Sequence, residues 1–509
     1  MLPNKPWWFW AQIALCALFL TPVWYFDYLP LNDLPNHVAS VSLLLAQNDC
    51  GQTYVVPNPN QFIPNYTAFA IMEWLAPFLG VEKAARVVLS LYIILLPFSL
   101  SYFLKRVRPG LEPFGLAAFL YAYNWIFMMG FLNNALSLPL FLFAAGYWLS
   151  KKDGKPVLSA ILSFAALSLL VFLTHIVAFA ALIAFIAFMR LWERKSKLQN
   201  LLLELPSLVL PLLLSGALLF SLLKTQAEGH TVWGAPALKF FYLLISIPNA
   251  PFTLVFVCIL ATYIFIMHRG GFSYIKKADF RYLVLAALFS LALVIMPEHL
   301  PNWQFAGARL APFIALFIFT GVLVAFIPAD SRLINELLAA IFVFSLLSLA
   351  ASFAAWAPAS MQVRQAAELG EFFENNSAVL PVGQGFTSTT SFGVLPLFHV
   401  WGYWVVQKNA FVPYLFSHAY SPINYMDESM RGKDKINKWM DDLASAIGEV
   451  GSSSNCDAWR SYYSEFDWKL VSREYDYVVF KPGECDQNVT VPAPFKLVQE
   501  KNGYYVYKK

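Results

Sequence analysis

Charge is what this chain has least of. Only 13% of its 509 residues are Asp, Glu, Lys or Arg, against 59% hydrophobic and 17% aromatic. A soluble domain carries about 25% charged residues. The deficit excludes an ordinary water-soluble protein and fits a bilayer protein, in which a charge at a helix centre costs about 2.5–3.5 kcal/mol on insertion scales. The net charge of +4 is small and locally patterned, so it gives no ground for nucleic-acid binding. Cysteine is also scarce. There are five, with no C-x-x-C pair, which removes zinc-ribbon and thiol-redox motifs. No internal repeat is present, and no A-x-A site follows the N-terminal apolar stretch. Residues 7–26 are too long and too aromatic for a signal peptide, and read as an uncleaved first span with a Trp belt.

What the chain does have is apolar length. A helix needs about 20 apolar residues to cross a bilayer. Eleven stretches meet or approach that, near 7–26, 84–104, 112–129, 131–149, 157–173, 174–190, 200–223, 250–267, 282–297, 310–327 and 333–355. The 157–190 stretch is nearly twice one span and is divided at Thr174 and His175. Alternate loops collect the basic residues: Lys105, Arg106 and Arg108; Lys151, Lys152 and Lys155; Arg190, Arg194, Lys195 and Lys197; His268, Arg269, Lys276 and Lys277; and Arg332. By the positive-inside rule these loops and the N-terminus are cytoplasmic. An odd number of spans then places the C-terminal part outside. The expected architecture is a polytopic α-helical membrane protein of about 11 transmembrane helices, 1–355, followed by an external soluble α/β domain, 356–509.

The first external loop, 27–83, holds Asp33-Leu-Pro-Asn-His37 and an amphipathic run through Leu45. A second apolar piece, 62–80, carries Glu73, Pro64 and Pro77 and reads as an interfacial helix, because a crossing there would reverse every later loop. Beyond 356, Gly383-Gln-Gly385 and Thr387–Ser391 read as a loop and 433–449 have helical spacing. Tyr475–Lys481 alternates as a strand, and Phe495–Lys508 reads as two strands around Lys501-Asn-Gly503. Cys16 and Cys258 are packing residues in spans. Cys50, Cys456 and Cys485 fall outside, where a Cys456–Cys485 disulfide suits an oxidising compartment.

The topology sorts the polar residues. Asp33, His37, His175, His230, Glu298, His299 and Arg309 all fall at external ends of spans. Asp33 can cap the helix that begins at Leu34, with Pro35 in its first turn. A rigidly held carboxylate can equally serve as a general base at the membrane boundary, with His37 one turn on. Arg309 can snorkel to headgroups or grip a phosphate in bidentate fashion. His175, His230, Glu298 and His299 are each weak alone; together they suggest one external cavity. Asp, Glu and His there leave a divalent metal open as a cofactor, but no H-x-x-x-H spacing supports it and no ligand set is named.

These features resemble the GT-C glycosyltransferases, and most closely the protein mannosyltransferase and aminoarabinose-transferase branch. The likeness is carried by an acidic residue after the first span (Asp33 in Asp33-Leu-Pro-Asn-His37) and a Pro-started apolar helix ending in Gly (Ile63 to Gly80). It extends to Arg86 early in the next span, the basic cluster at Lys105-Arg106, and the external C-terminal domain. The resemblance implies a polyprenyl-phosphate-linked sugar donor and a glycan, lipid or protein acceptor on the external face. It implies an inverting transfer in a bacterial inner membrane, with the C-terminal domain periplasmic. Asp33 matches the family's acid/base position; Arg309 and His299 are the phosphate candidates by location. The chain departs from the family in one respect: Leu34 stands where a second carboxylate often follows. Two other readings compete: a transporter or flippase, which has no duplicated halves here to support it, and a non-catalytic membrane scaffold.

Overall fold

The computed structural model describes residues 6–46, 55–57, 64–152, 157–193, 201–224, 279–298, 305–326, 331–387, 394–416, 423–425, 430–432, 456–486 and 489–509, and a few isolated positions between. The expected span 250–267, most of 433–449, and His230 and His299 lie outside these residues.

The apolar stretches become helices because only a self-satisfied backbone is tolerated in lipid. Trp7–Tyr25 forms α1 and Val81–Val107 forms α4, followed by Leu132–Lys151, Leu158–Thr174, Ile176–Glu193, Leu201–Lys224, Arg281–Ile295, Ala311–Phe326 and Ser331–Ala367. Among the described residues, six helices are long and apolar enough to cross a membrane by length and composition. The molecule is an integral membrane protein with a small C-terminal α/β domain. The last long helix runs to Ala367, past the boundary expected at 355.

One end of the bundle collects cations. Lys105 and Arg106 close α4, Lys151 closes the Leu132–Lys151 helix, and Arg190 falls in the last turn of Ile176–Glu193. There Glu204 accepts from Arg190 and from the Trp148 indole (2.9 Å), and Glu193 pairs with Lys152 and Arg281. The opposite end carries Asp33, His175 and Arg309.

Two expectations are refined. The 157–190 stretch does divide, at His175, whose extended backbone (φ −165°, ψ 127°) separates the two helices. The 112–129 stretch is not a regular helix. It is a 3₁₀ segment, Glu112–Leu120, a turn, and one turn of α-helix, Trp125–Met128. It still runs from one end to the other: Glu112 lies beside Ser101 near Gln12, and Met129 lies under Asp33. Irregular backbone at membrane depth survives only where protein covers it. Here it is wedged against α1, α4 and Ser331–Ala367. At Gly115 an added Cβ would meet Ser101 Oγ at 2.0 Å, so this close approach requires glycine.

Residues 62–80 contribute α3, Thr67–Leu79, which has 13 residues. At about 1.5 Å per residue it is too short to cross a hydrocarbon layer of about 30 Å. Its start is pinned to the same end of the bundle. Asn133 accepts from Ala68 N (2.7 Å) and donates to Asn65 O (2.7 Å), and Asn65 N and Tyr66 N both donate to Leu173 O.

The C-terminal sheet has the order β2 (Val379–Val382), β4 (Tyr477–Phe480), β6 (Tyr504–Lys508), β5 (Lys496–Lys501). β2 and β4 are parallel; β5 and β6 form the expected hairpin, turning through Asn502 and Gly503, both at positive φ. The disulfide Cys456–Cys485 is formed. A two-stranded pairing of β1 (Val55–Pro57) with β3 (Ile423–Tyr425) ties the first loop to the C-terminal part.

The helix α2, Leu34–Ala46, joins the two hydrophobic cores. Leu34, Val38 and Val41 pack into the bundle core, and Ala39 and Leu43 into the C-terminal core. Asp33 therefore sits at the junction.

Candidate active site

Asp33 is placed by its backbone. Asn32 N donates to Met128 O (3.1 Å) and Asp33 N to Met129 O (3.0 Å), so the loop docks on the end of the broken crossing. Asn124 caps that last turn by accepting from Phe127 N (3.0 Å). The Asp33 carbonyl takes the first bond of α2 from His37 N (3.1 Å).

Asp33 is buried, 7% exposed as a residue. Asn32 Nδ2 donates to its Oδ1 at 2.6 Å, and Asn32 Oδ1 accepts from Leu395 N. Burial pushes the carboxyl up to about 7; the Asn32 hydrogen bond and the Arg309 charge act against that rise. A carboxyl tuned to that range is suited to general base work near neutrality.

Arg309 is buried in the Gly307–Leu310 turn, just before the Ala311–Phe326 helix. Its guanidinium stacks 4.3 Å above the Phe131 ring, and Nη1 lies 3.3 Å from His175 Nε2. His175 is fully buried where its two helices part. Asp33, Arg309 and His175 thus come from three distant parts of the chain to one place.

Of the other expected residues, Glu298 is buried, and its carbonyl accepts from Ala306 N (3.0 Å), closing the loop that leads to Arg309. His37 is half-buried between Phe69 and Phe416, with ring centroids 5.1 and 5.7 Å away. Among the described residues no group of three or more His, Cys, Asp or Glu is arranged to hold a metal.

Sequence reasoning missed His399. Its Nε2 lies 3.4 Å from Asp33 Oδ1, and its Nδ1 lies 2.9 Å from Asn36 Nδ2. Burial, with His37 adding to it, pushes His399 down to about 3, so the imidazole is neutral and the approach is not an ion pair. The only signal was a lone His in an aromatic run, Phe398-His-Val-Trp401, within a part of the chain read as a soluble domain.

This architecture is a GT-C-like fold: a helical membrane unit with an acidic first loop and a C-terminal α/β part. It is shared with ArnT from Cupriavidus metallidurans, solved both bound to undecaprenyl phosphate and in the apo state, with TM-score 0.56 in each case. The alignment covers 98% of this chain and 97% of that one at 11% identity. No protein-family model matches the sequence, and no curated protein matches it.

Proposed function

We propose that this protein is a membrane glycosyltransferase that moves a sugar from a polyprenyl-phosphate donor to an acceptor hydroxyl on the extracytoplasmic face of a bacterial inner membrane. One observation carries the reading. A buried carboxyl and a buried guanidinium meet the same short segment at the end of the helical bundle away from the basic cluster: Asp33 hangs from Met129, and Arg309 stacks on Phe131 two residues on. That the same fold holds undecaprenyl phosphate in ArnT supports the choice of donor.

In this reading the isoprenoid tail lies between spans, and the phosphate reaches Arg309. Arg309 has five donors in a planar fork and no acceptor, which suits a leaving phosphate. Phe131 and His175 hold that fork in place. Asp33 removes the proton from the acceptor hydroxyl as its oxygen attacks the anomeric carbon; the bond from that carbon to the phosphate oxygen breaks, and the configuration inverts. Half-buried His37 lies where it can orient the acceptor. The C-terminal part, periplasmic in this reading, closes over Asp33 and limits water.

The decisive experiment is transfer from an undecaprenyl-phosphate-linked sugar by the purified protein. Asp33→Asn is expected to abolish it in a protein that still folds. Arg309→Ala is expected to weaken undecaprenyl phosphate binding. Full transfer by Asp33→Asn would remove the assignment of the base, and unchanged lipid affinity in Arg309→Ala would remove the phosphate role.

A further inference from the structure

We infer that His399, supplied by the C-terminal part of the chain, is a positioning residue for Asp33, with Asn36 fixing its tautomer so that Nε2–H faces the carboxyl. The inference rests on the reading of Asp33 as the base, and deepens it by giving the C-terminal part a share in the chemistry.

Asn36 is buried, and its Nδ2 lies 2.9 Å from His399 Nδ1 and 3.3 Å from Tyr414 O. The Tyr414 carbonyl can only accept, so it sets the amide: turned over, Asn36 would present an oxygen to an oxygen. Nδ1 of His399 therefore accepts. A neutral imidazole then carries its proton on Nε2, and that nitrogen is the one 3.4 Å from Asp33 Oδ1. Asn32 Nδ2 reaches the same oxygen at 2.6 Å. Asn32 makes the direct hydrogen bond to Oδ1; His399 Nε2–H, at a distance longer than a normal hydrogen bond, adds an oriented dipole at the same oxygen, which gives Oδ2 the task of taking the proton.

The placement is enforced by packing. Gly402 begins the short helix that follows His399 and lies so close to Pro35 that an added Cβ would stand 2.2 Å from Pro35 O. The ring of His399 is flanked by Phe398, Trp401 and Phe416, with centroids 4.6, 5.4 and 4.9 Å away. The charged and titratable groups facing the pair are Arg309, toward Asp33, and His37, toward His399. Both are kept in the test.

The test uses the full-length protein in lipid nanodiscs. The ionisation of Asp33 is followed by its infrared carboxyl band, assigned by its loss in Asp33→Asn, alongside the pH profile of sugar transfer. His399→Leu removes the donor; His399→Gln restores an N–H near the Nε2 position. The Asp33 midpoint is expected to rise by about one pH unit or more in His399→Leu, because an N–H dipole directed at the ionised form is lost. The acid limb of kcat/KM should move with it, and His399→Gln should recover most of both. Should His399→Leu not fold, Asn36→Ser frees the tautomer and is expected to shift the midpoint in the same direction. An unmoved midpoint in whichever of these variants folds, or equal shifts in the Leu and Gln variants, overturns the inference. A shifted midpoint in a protein that transfers no sugar keeps the positioning role and defeats the proposed function. Transfer with an unmoved midpoint does the reverse.

Discussion

Asp33 hangs by its backbone from Met129, N to O at 3.0 Å, and the next residue, Gly130, closes the same turn at φ +74°. A Cβ on Gly130 would meet Leu34 N at 2.9 Å and Asp33 N at 3.0 Å. Gly130→Ala is thus disfavoured twice, by conformation and by contact. The backbone of Asp33 must shift to admit it. A displacement of about 1 Å at a reacting group can cost about 100-fold in rate. Sugar transfer by Gly130→Ala is expected to fall by about that factor, with a melting temperature lowered by only a few degrees. Wild-type kcat/KM in this variant would show that the loop position does not set the chemistry.

The raised Asp33 couples stability and activity to pH in opposite directions. The group moves from 3.8 to about 7 through burial, partly offset by Asn32 and Arg309. Between those values the folded protein keeps a proton that the unfolded chain has released. Stability is therefore expected to fall as pH rises from about 4 through about 7, by up to about 4 kcal/mol in total. Transfer should rise over the upper part of the same window as the base ionises. Melting curves and kcat/KM from pH 5 to pH 8 check both trends. In Asp33→Asn the stability trend should flatten; persistence of the full slope would assign it to other groups.

The bundle was readable from sequence because apolar length and loop charge are local signals. Asp33 and Arg309 stood out for the same reason: each is a charged residue at the edge of an apolar stretch. The broken crossing 112–129 was hidden, because its composition equals that of a helix and only the close approach at Gly115 breaks the pattern. His399 was hidden for a different reason. Its meaning depends on contact with Asn36 and Asp33 from the opposite end of the chain, and no spacing rule encodes that contact. The fold was thus legible where burial is decided locally. The candidate site was legible only for residues whose charge is out of place in their own segment.

Arg309→Lys separates charge from geometry. Lysine keeps the positive charge but loses the planar fork, the stacking on Phe131 and the donor to His175. If the guanidinium stabilises the leaving phosphate by directed hydrogen bonds, turnover should drop about 100- to 1,000-fold, the usual effect of removing one such donor. Lipid binding should suffer less than in Arg309→Ala. Isothermal titration with undecaprenyl phosphate, run beside turnover, distinguishes these. Equal activity for Lys and Arg would reduce the role to a point charge.

The bond Cys456–Cys485 closes a loop of sequence separation 29 in the part of the chain that supplies His399. It fastens the Cys456–Glu465 helix beside Asp486, which accepts from Tyr463 Oη (2.9 Å) and from the backbones of Gln384 and Gly483. Trp459 and Tyr462 of that helix share a core with Trp401 and Tyr403. A cross-link over a loop of this length contributes about 3–4 kcal/mol in the chain-entropy picture. The double variant Cys456→Ser, Cys485→Ser is expected to melt earlier, and its C-terminal part should exchange amide hydrogens faster while the bundle is unchanged. Transfer should weaken with it, because His399 and the cover over Asp33 loosen together. The bond also reports on sidedness, since it persists only in an oxidising compartment. Mass spectrometry of protein alkylated inside intact cells should find Cys456 and Cys485 protected and joined. Free, alkylated thiols at both positions would place the C-terminal part on the reducing side of the membrane and reverse the proposed orientation.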